Sequence, residues 1–157
     1  MSEVASGVSI RALERGDRPQ WQALWDGYNA FYGRSGPTAL DPAITEQTWG
    51  YFFDPDVPVH ALVAVHVDRV LGIAHYLFHP STTRAPAVCY LQDLFTLESA
   101  RGRGVGRKLV ESVAGAARRA GSDRLYWHTK SDNHAARALY DRLAGHCGFI
   151  VYASELR

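Results

Sequence analysis

The sequence predicts an α/β domain in which a mixed central sheet is flanked by about four helices. Three observations carry that reading. Residues 59–67 and 70–78 are two apolar, β-branched runs separated only by Asp68-Arg69, which makes them an antiparallel hairpin. Residues 89–97 form an apolar strand that runs through a glycine-rich arginine turn into a helical pattern. A second strand and helix follow, at 124–129 and from Asn133 onward.

In chain order, residues 8–13 alternate enough for a first strand. Asp17 can cap a helix whose Trp21, Leu24, Trp25, Tyr28 and Phe31 share one face. Gly33, Gly36 and Pro37 break it, and Asp41-Pro42 opens a second helix running toward Phe53. Aromatic residues crowd between Trp21 and Phe53, which serves either core packing or the lining of a pocket; Tyr28 and Tyr32 are the pocket candidates. After the hairpin, 79–86 is a polar loop with two prolines. The strand 89–97 carries Gln92 and Asp93 in an otherwise apolar run. From Arg103 onward Leu109, Val110, Val113, Ala116 and Ala117 recur at helical spacing, with Arg118 and Arg119 in the last turn before Gly121. A last strand is expected at 148–154, after the short link 144–147.

A chain of 157 residues is read as one domain, 1–157. Its 17 basic and 16 acidic residues point to neither a nucleic-acid binder nor an acidic tail. Cys89 and Cys147 are read as free thiols, and His75, His79, His128 and His134 show no ligand spacing, so no metal site is expected. No apolar run approaches the roughly 18 residues that span a membrane, and the first ten lack the pattern of a leader, so the expected location is the cytoplasm.

The turn after residue 97 is the centre of the chemistry. Gly102, Gly104 and Gly106 fall at a helix N-terminus, where the first backbone N–H groups have no intrahelical partner and no Cβ holds a ligand away. Such a turn suits a pyrophosphate, with Arg101, Arg103, Arg107 and Lys108 as supplementary cations. It is neither a P-loop nor a Rossmann fingerprint.

Arg101, Gly104 and Gly106 form Arg-x-x-Gly-x-Gly/Ala, which resembles the acyl-CoA signature of the GNAT superfamily of N-acetyltransferases. Downstream, Asn133-His-Ala-Ala136-Arg-Ala-Leu139-Tyr140 resembles that family's Asn-x-x-Ala-x-x-Leu-Tyr helix. The resemblance implies the GNAT fold, with the central strand and the next one splayed to admit the pantetheine arm of acetyl-CoA. It implies cofactor contacts from Phe95, Thr96, Arg101, Gly102, Arg103, Gly104, Val105, Gly106, Arg107, Asn133 and Tyr140. The main chain of Phe95 and Thr96 would pair with the pantetheine amides, and Tyr140 would be the general acid for the leaving thiolate. Asn133 is also explained as a helix cap.

The run Tyr90-Leu-Gln92-Asp93-Leu-Phe-Thr is similar to the Tyr-Leu-Glu-Asp-Ile-Tyr-Val of the spermidine/spermine and thialysine N-acetyltransferases, where the glutamate accepts the proton through water. Gln92 cannot do that. A side-chain base therefore falls to Asp93, or Gln92 orients a water, and alternation sets the two on opposite faces unless a bulge intervenes. His128 is a second candidate for proton transfer and, with Tyr28, Tyr32, Gln92 and Asp93, for the acceptor site. The expected activity is acetyl transfer from acetyl-CoA to a primary amine of a small molecule, polyamine or amino-acid-like, by direct attack in a ternary complex, with a homodimer as the assembly. Alternatives are a protein lysine or N-terminal acetyltransferase, or a CoA-binding regulatory domain without turnover, the reading that Gln92 keeps open.

Overall fold

The computed structural model describes residues 7–156; the start of the segment read as lacking a leader lies outside them. The elements run β1 (Ser9–Ala12), α1 (Arg18–Phe31), α2 (Pro42–Tyr51), β2 (Val59–His66), β3 (Arg69–His79), β4 (Val88–Thr96), α3 (Val105–Arg119), β5 (Leu125–Tyr126) and α4 (His134–Leu143). The strands form one sheet in the order β1-β2-β3-β4-β5, antiparallel except for the parallel β4–β5 pair.

Each face of the sheet has its own core. Trp21, Leu24, Trp25 and Tyr28 of α1 bury against Ala61, Val63, Val70 and Ile73, whereas Phe31, expected on the same face, is 57 % exposed at the end of the helix. On the opposite face Leu109, Val110, Val113 and Ala117 of α3 bury against Leu71, Ala74, Tyr76, Cys89 and Leu91. Each large apolar side chain so buried contributes about 1.5–3 kcal/mol. Gly72 lets α3 lie this close, because a Cβ there would stand 2.9 Å from Leu109 Cδ1. The apolar surroundings of Cys89 push its thiol up to about 11, which makes it an inert core residue.

Four details differ from the sequence reading. The hairpin turn is Val67-Asp68, one residue earlier than Asp68-Arg69, since His66 pairs with Arg69 and both turn residues have positive φ, 46° and 59°. That geometry matches the twist of the flanking strands better than the ordinary turn types, and it outweighs the poor fit of a β-branched residue. Asp17 precedes α1 without capping it by its side chain. Its carboxylate instead accepts the Glu14 N–H at 2.7 Å and both arms of the Arg11 guanidinium, at 2.7 and 2.9 Å. The strand expected over 124–129 pairs only at Leu125 and Tyr126. The strand expected over 148–154 does not form: residues 144–156 carry no regular structure, and Phe149 and Tyr152 are 79 % and 89 % exposed. A two-residue β5 offers too short an edge to order it.

Candidate active site

β4 builds the site through one irregularity. His75 of β3 pairs with Asp93 and Tyr76 pairs with Leu91, so Gln92 is an extra residue, a β-bulge. Leu91 therefore faces the α3 core while Asp93, two residues on, faces α1. This is the bulge that the Gln92–Asp93 pair requires in order to meet at one site, and both side chains line the same cavity, Gln92 exposed and Asp93 buried.

β5 leaves the sheet after Tyr126, so the outer edge of β4 beyond Tyr90 has no strand beside it among the described residues. This is the splay. The Leu97 N–H bonds the Leu71 carbonyl of β3, and the Phe95 carbonyl also lies on the β3 side, 3.2 Å from where a Gly72 Cβ would stand. By alternation the main chain of Thr96 faces the open edge and that of Phe95 does not. Of the two residues expected to pair with a pantetheine, Thr96 alone is oriented for it.

Two cavities meet at this edge. The first, about 710 Å³, is lined by Phe95, Thr96, Arg101, Gly102, Gly104, Val105, Gly106, Arg107, Asn133 and Tyr140. These are the residues expected at the cofactor, without Arg103, which is exposed. Gly102 and Gly104 both have left-handed backbones, φ 74° and 80°. No atom lies within 4 Å of a Cβ placed on Gly102. The first intrahelical bond of α3 runs from the Lys108 N–H to the Gly104 carbonyl at 3.0 Å, so the N–H groups of Val105, Gly106 and Arg107 precede the ladder. At Gly106 a Cβ would sit 3.5 Å from Leu139 Cδ2 of α4, an ordinary contact, as a Gly/Ala position requires. The open cradle, the unladdered N–H groups and the unpaired strand edge fit a pyrophosphate followed by a pantetheine arm.

The cations read as phosphate partners divide. Lys108 reaches away to the Val8 carbonyl at 2.8 Å, and Arg107 pairs with Glu111 at 2.8 Å on the helix surface. Asn133 caps α4 by accepting the Ala136 N–H at 3.3 Å, as its helix-start position implies. Tyr140 stands edge-on to Trp127, ring centroids 5.4 Å apart. Burial above all, helped by Tyr32, pushes its hydroxyl up to about 12, so it stays protonated.

The second cavity, about 730 Å³, is lined by Tyr28, Tyr32, Gln92, Asp93 and His128, the expected acceptor residues, together with Arg34, Tyr90 and Lys130. Tyr28 and Tyr32 line both cavities and form the wall between them. Burial first, then the negative charge of Asp93, raises both hydroxyls, which stay neutral donors. His128 shares a hydrogen bond with the Tyr90 hydroxyl at 3.1 Å. No group of residues able to hold a metal occurs among the described residues.

Sequence reasoning missed Arg34, Lys130 and His75. Arg34 donates from Nε to Asn29 at 2.6 Å and lies over the rings of Tyr28 and Tyr32, at 5.8 and 5.5 Å. Lys130 Nζ lies 5.6 Å from the Tyr32 ring centroid. Both sit in loops with no pattern of their own. His75 had one signal, a lone polar residue in an apolar strand.

Known proteins share this fold. The chain is 33% identical over 147 residues to the D-amino-acid N-acetyltransferase HPA3 of Saccharomyces cerevisiae, covering 92% of this chain and 89% of that protein. A putative acetyltransferase structure from Agrobacterium tumefaciens superposes with a TM-score of 0.71 at 25% identity, covering 95% and 97% of the two chains. The protein AAC(6')-Iy, solved with a CoA-containing bisubstrate analogue, superposes with a TM-score of 0.78 at 18% identity over 96% and 98%. The profile of the acetyltransferase (GNAT) family matches residues 21–146, which span the α1 wall, the splayed strand, the glycine turn and the Tyr140 helix, and the chain belongs to that family.

Proposed function

We propose that this GNAT acetyltransferase moves the acetyl group of acetyl-CoA to the amine of a small amino-acid-like acceptor, by direct attack in a ternary complex. One observation carries the choice of acceptor. Asp93 is the only carboxylate among the described residues lining the 730 Å³ cavity, which also holds the cations Arg34 and Lys130. A polyamine would find one anion and two repelling cations there. A zwitterion finds a partner for each end: its ammonium toward Asp93 and its carboxylate toward Arg34, whose two terminal nitrogens bond none of the described residues. Leu40, Ile44 and Phe52 on the same wall favour an apolar side chain on the acceptor. That a relative is named a D-amino-acid N-acetyltransferase supports the same class.

Acetyl-CoA supplies the activated thioester. The N-terminus of α3 holds its phosphates, and the free edge of β4 aligns its arm. Asp93 binds the acceptor ammonium and takes its proton on a carboxylate oxygen, directly or through a water set by Gln92, which frees the nitrogen lone pair to attack. As the C–S bond breaks the Tyr140 hydroxyl gives its proton to the departing sulfur, and the second proton that the attacking nitrogen must lose restores the phenol. Neither cysteine serves an acyl-enzyme, since Cys89 is buried in the far core and Cys147 lies in the exposed C-terminal segment. That segment exposes Phe149, Ile150 and Tyr152, and the sheet's last strand ends after two residues, which supports a homodimer.

The test is an acceptor panel with acetyl-CoA, followed by thiol release: both enantiomers of apolar amino acids, their amides, spermidine and a lysine peptide. The free amino acids are expected to give the highest kcat/KM. A higher value with spermidine or the peptide overturns the assignment.

A further inference from the structure

The buried histidine under the acceptor cavity has no part in the transfer described above. His75 is 2 % exposed, sits across the ladder from Asp93, and places Nδ1 2.9 Å from Asp93 Oδ2. On its other side Nε2 is 3.0 Å from the indole Nε1 of Trp21. An indole N–H can only donate. Nε2 must therefore be the bare nitrogen, and the ring proton must sit on Nδ1, donated to Asp93. The ring is fixed in place by Trp21, Trp25 and Phe52, with centroids 6.0, 5.3 and 4.7 Å away. Trp21 is itself fully buried against β2 and β3.

We infer that His75 is a positioning residue: Trp21 locks it in the Nδ1–H tautomer, and so locked it pins Oδ2 of Asp93 and turns the carboxylate's remaining lone pairs toward the cavity, where the Tyr28 hydroxyl and the acceptor amine meet it. The inference rests on Asp93 being the acceptor's partner. It has a chemical consequence, because a second proton on His75 would set an Nε2–H against the Trp21 N–H. A proton collected by Asp93 therefore has no path into the core and leaves toward the cavity, where Tyr28, Tyr32, Tyr90, Arg34, His128 and Lys130 face it. The histidine is a holder, and its partner does the exchange. The bulge at Gln92 is what makes the pairing possible, since it alone turns Asp93 to the His75 face.

Two measurements test this. Long-range 1H–15N correlation spectra of the wild-type protein should show His75 as the neutral Nδ1–H tautomer, and Trp21→Phe should release the lock and let the Nε2–H form appear. In steady-state kinetics His75→Gln can reproduce both bonds, an amide N–H to Asp93 and an amide oxygen to Trp21, so it should stay within about threefold of wild type in kcat/KM. His75→Leu cannot, and should lose about 10²-fold, the scale of a misplaced catalytic group, through kcat and the acceptor KM, with acetyl-CoA affinity unchanged. An Nε2–H tautomer in the wild type, wild-type kinetics in His75→Leu, or equal losses in both variants overturns the inference. Asp93→Asn separates the failures. If it is impaired while His75→Leu is not, only the positioning role falls; if it is as active as wild type, the acceptor site falls with it.

Discussion

Arg101 donates from Nε to the carbonyl of Thr96 at 3.0 Å and lies 5.3 Å over the ring of Phe95. The arginine that opens the glycine signature thus folds back on the end of β4, where it closes the loop that carries Gly102 and Gly104 into left-handed backbone. Its Nε–H is spent on Thr96, and its terminal nitrogens, which bond none of the described residues, remain for the cavity it lines. The proposed phosphate site thus combines a backbone shape that the Nε–H bond holds with the charge of the same guanidinium.

The consequence is measurable by calorimetry. Gly104→Val must place a β-branched residue at φ 80° and a side chain in the cradle, and should weaken acetyl-CoA binding by about 10²-fold or more. Arg103→Ala removes one exposed, screened charge and should cost less than about fivefold. Equal affinities for wild type and Gly104→Val would remove the turn from the binding site.

Arg34 should matter only to acceptors with a carboxylate. A charge-assisted bond of this kind contributes about 1.5–3 kcal/mol, so Arg34→Ala should raise the KM of an amino acid by roughly 10- to 150-fold. The corresponding amine lacking the carboxylate should bind no worse. Asp93→Asn should harm both acceptors. Comparing the four KM values reads the two ends of the acceptor separately, and an Arg34→Ala variant with an unchanged amino-acid KM would leave the carboxylate without a partner.

What was legible in the sequence was what local pattern fixes. Trp21, Leu24, Trp25 and Tyr28 share a face at helical spacing whatever they pack on, and the glycine turn announces itself by residue type. The lining of the 710 Å³ cavity was thus readable almost residue by residue. The acceptor cavity was half readable. Gln92 and Asp93 stand out as polar in an apolar strand, but the bulge that brings them together is a property of the β3–β4 register, and no residue type announces it. Arg34 and His75 reach the site by long-range packing, one from a loop after α1 and one from β3, so only the fold brings them there. Residues 148–154 show the opposite failure. Their β propensity is real, yet a strand needs an edge to pair with, and β5 ends after Tyr126.

Asp17 and Arg11 offer a pH signature of the fold independent of catalysis. The Arg11 guanidinium, above all through its hydrogen bonds, holds the Asp17 carboxyl below the ordinary carboxylate range, with the Glu14 N–H adding to it. A carboxylate whose folded pKa is lowered contributes stability that is complete above its unfolded pKa, near 4, and is lost as pH falls through the folded value. Asp17→Asn should therefore destabilise the protein by about 1–2 kcal/mol at pH 7, the lower range for a bond to a partly exposed charge. Urea unfolding at pH 7, 5 and 3.5 should show that difference intact at the first two and shrinking at the last. A difference that grows on acidification would contradict the pairing.

Tyr140 carries the sharpest prediction, because its environment and its proposed task impose the same requirement. Burial, with Tyr32 beside it, raises the hydroxyl to about 12, so the proton needed by the departing sulfur is present at every working pH. A phenol this reluctant to ionise is always protonated but is a weaker acid than a thiol. It can therefore only hand its proton over as the C–S bond breaks, and its phenolate must be reprotonated at once. Tyr140→Phe keeps the ring against Trp127 and should leave both the melting temperature and acetyl-CoA affinity close to wild type. Its kcat should fall by about 10²-fold where chemistry limits the rate, since only the proton is gone. Any alkaline limb of the kcat profile below about pH 11 would then belong to another group, and it should persist unchanged in Tyr140→Phe. A variant that keeps the wild-type kcat in single-turnover measurements would show that water protonates the sulfur, leaving Tyr140 as a wall of the cofactor cleft.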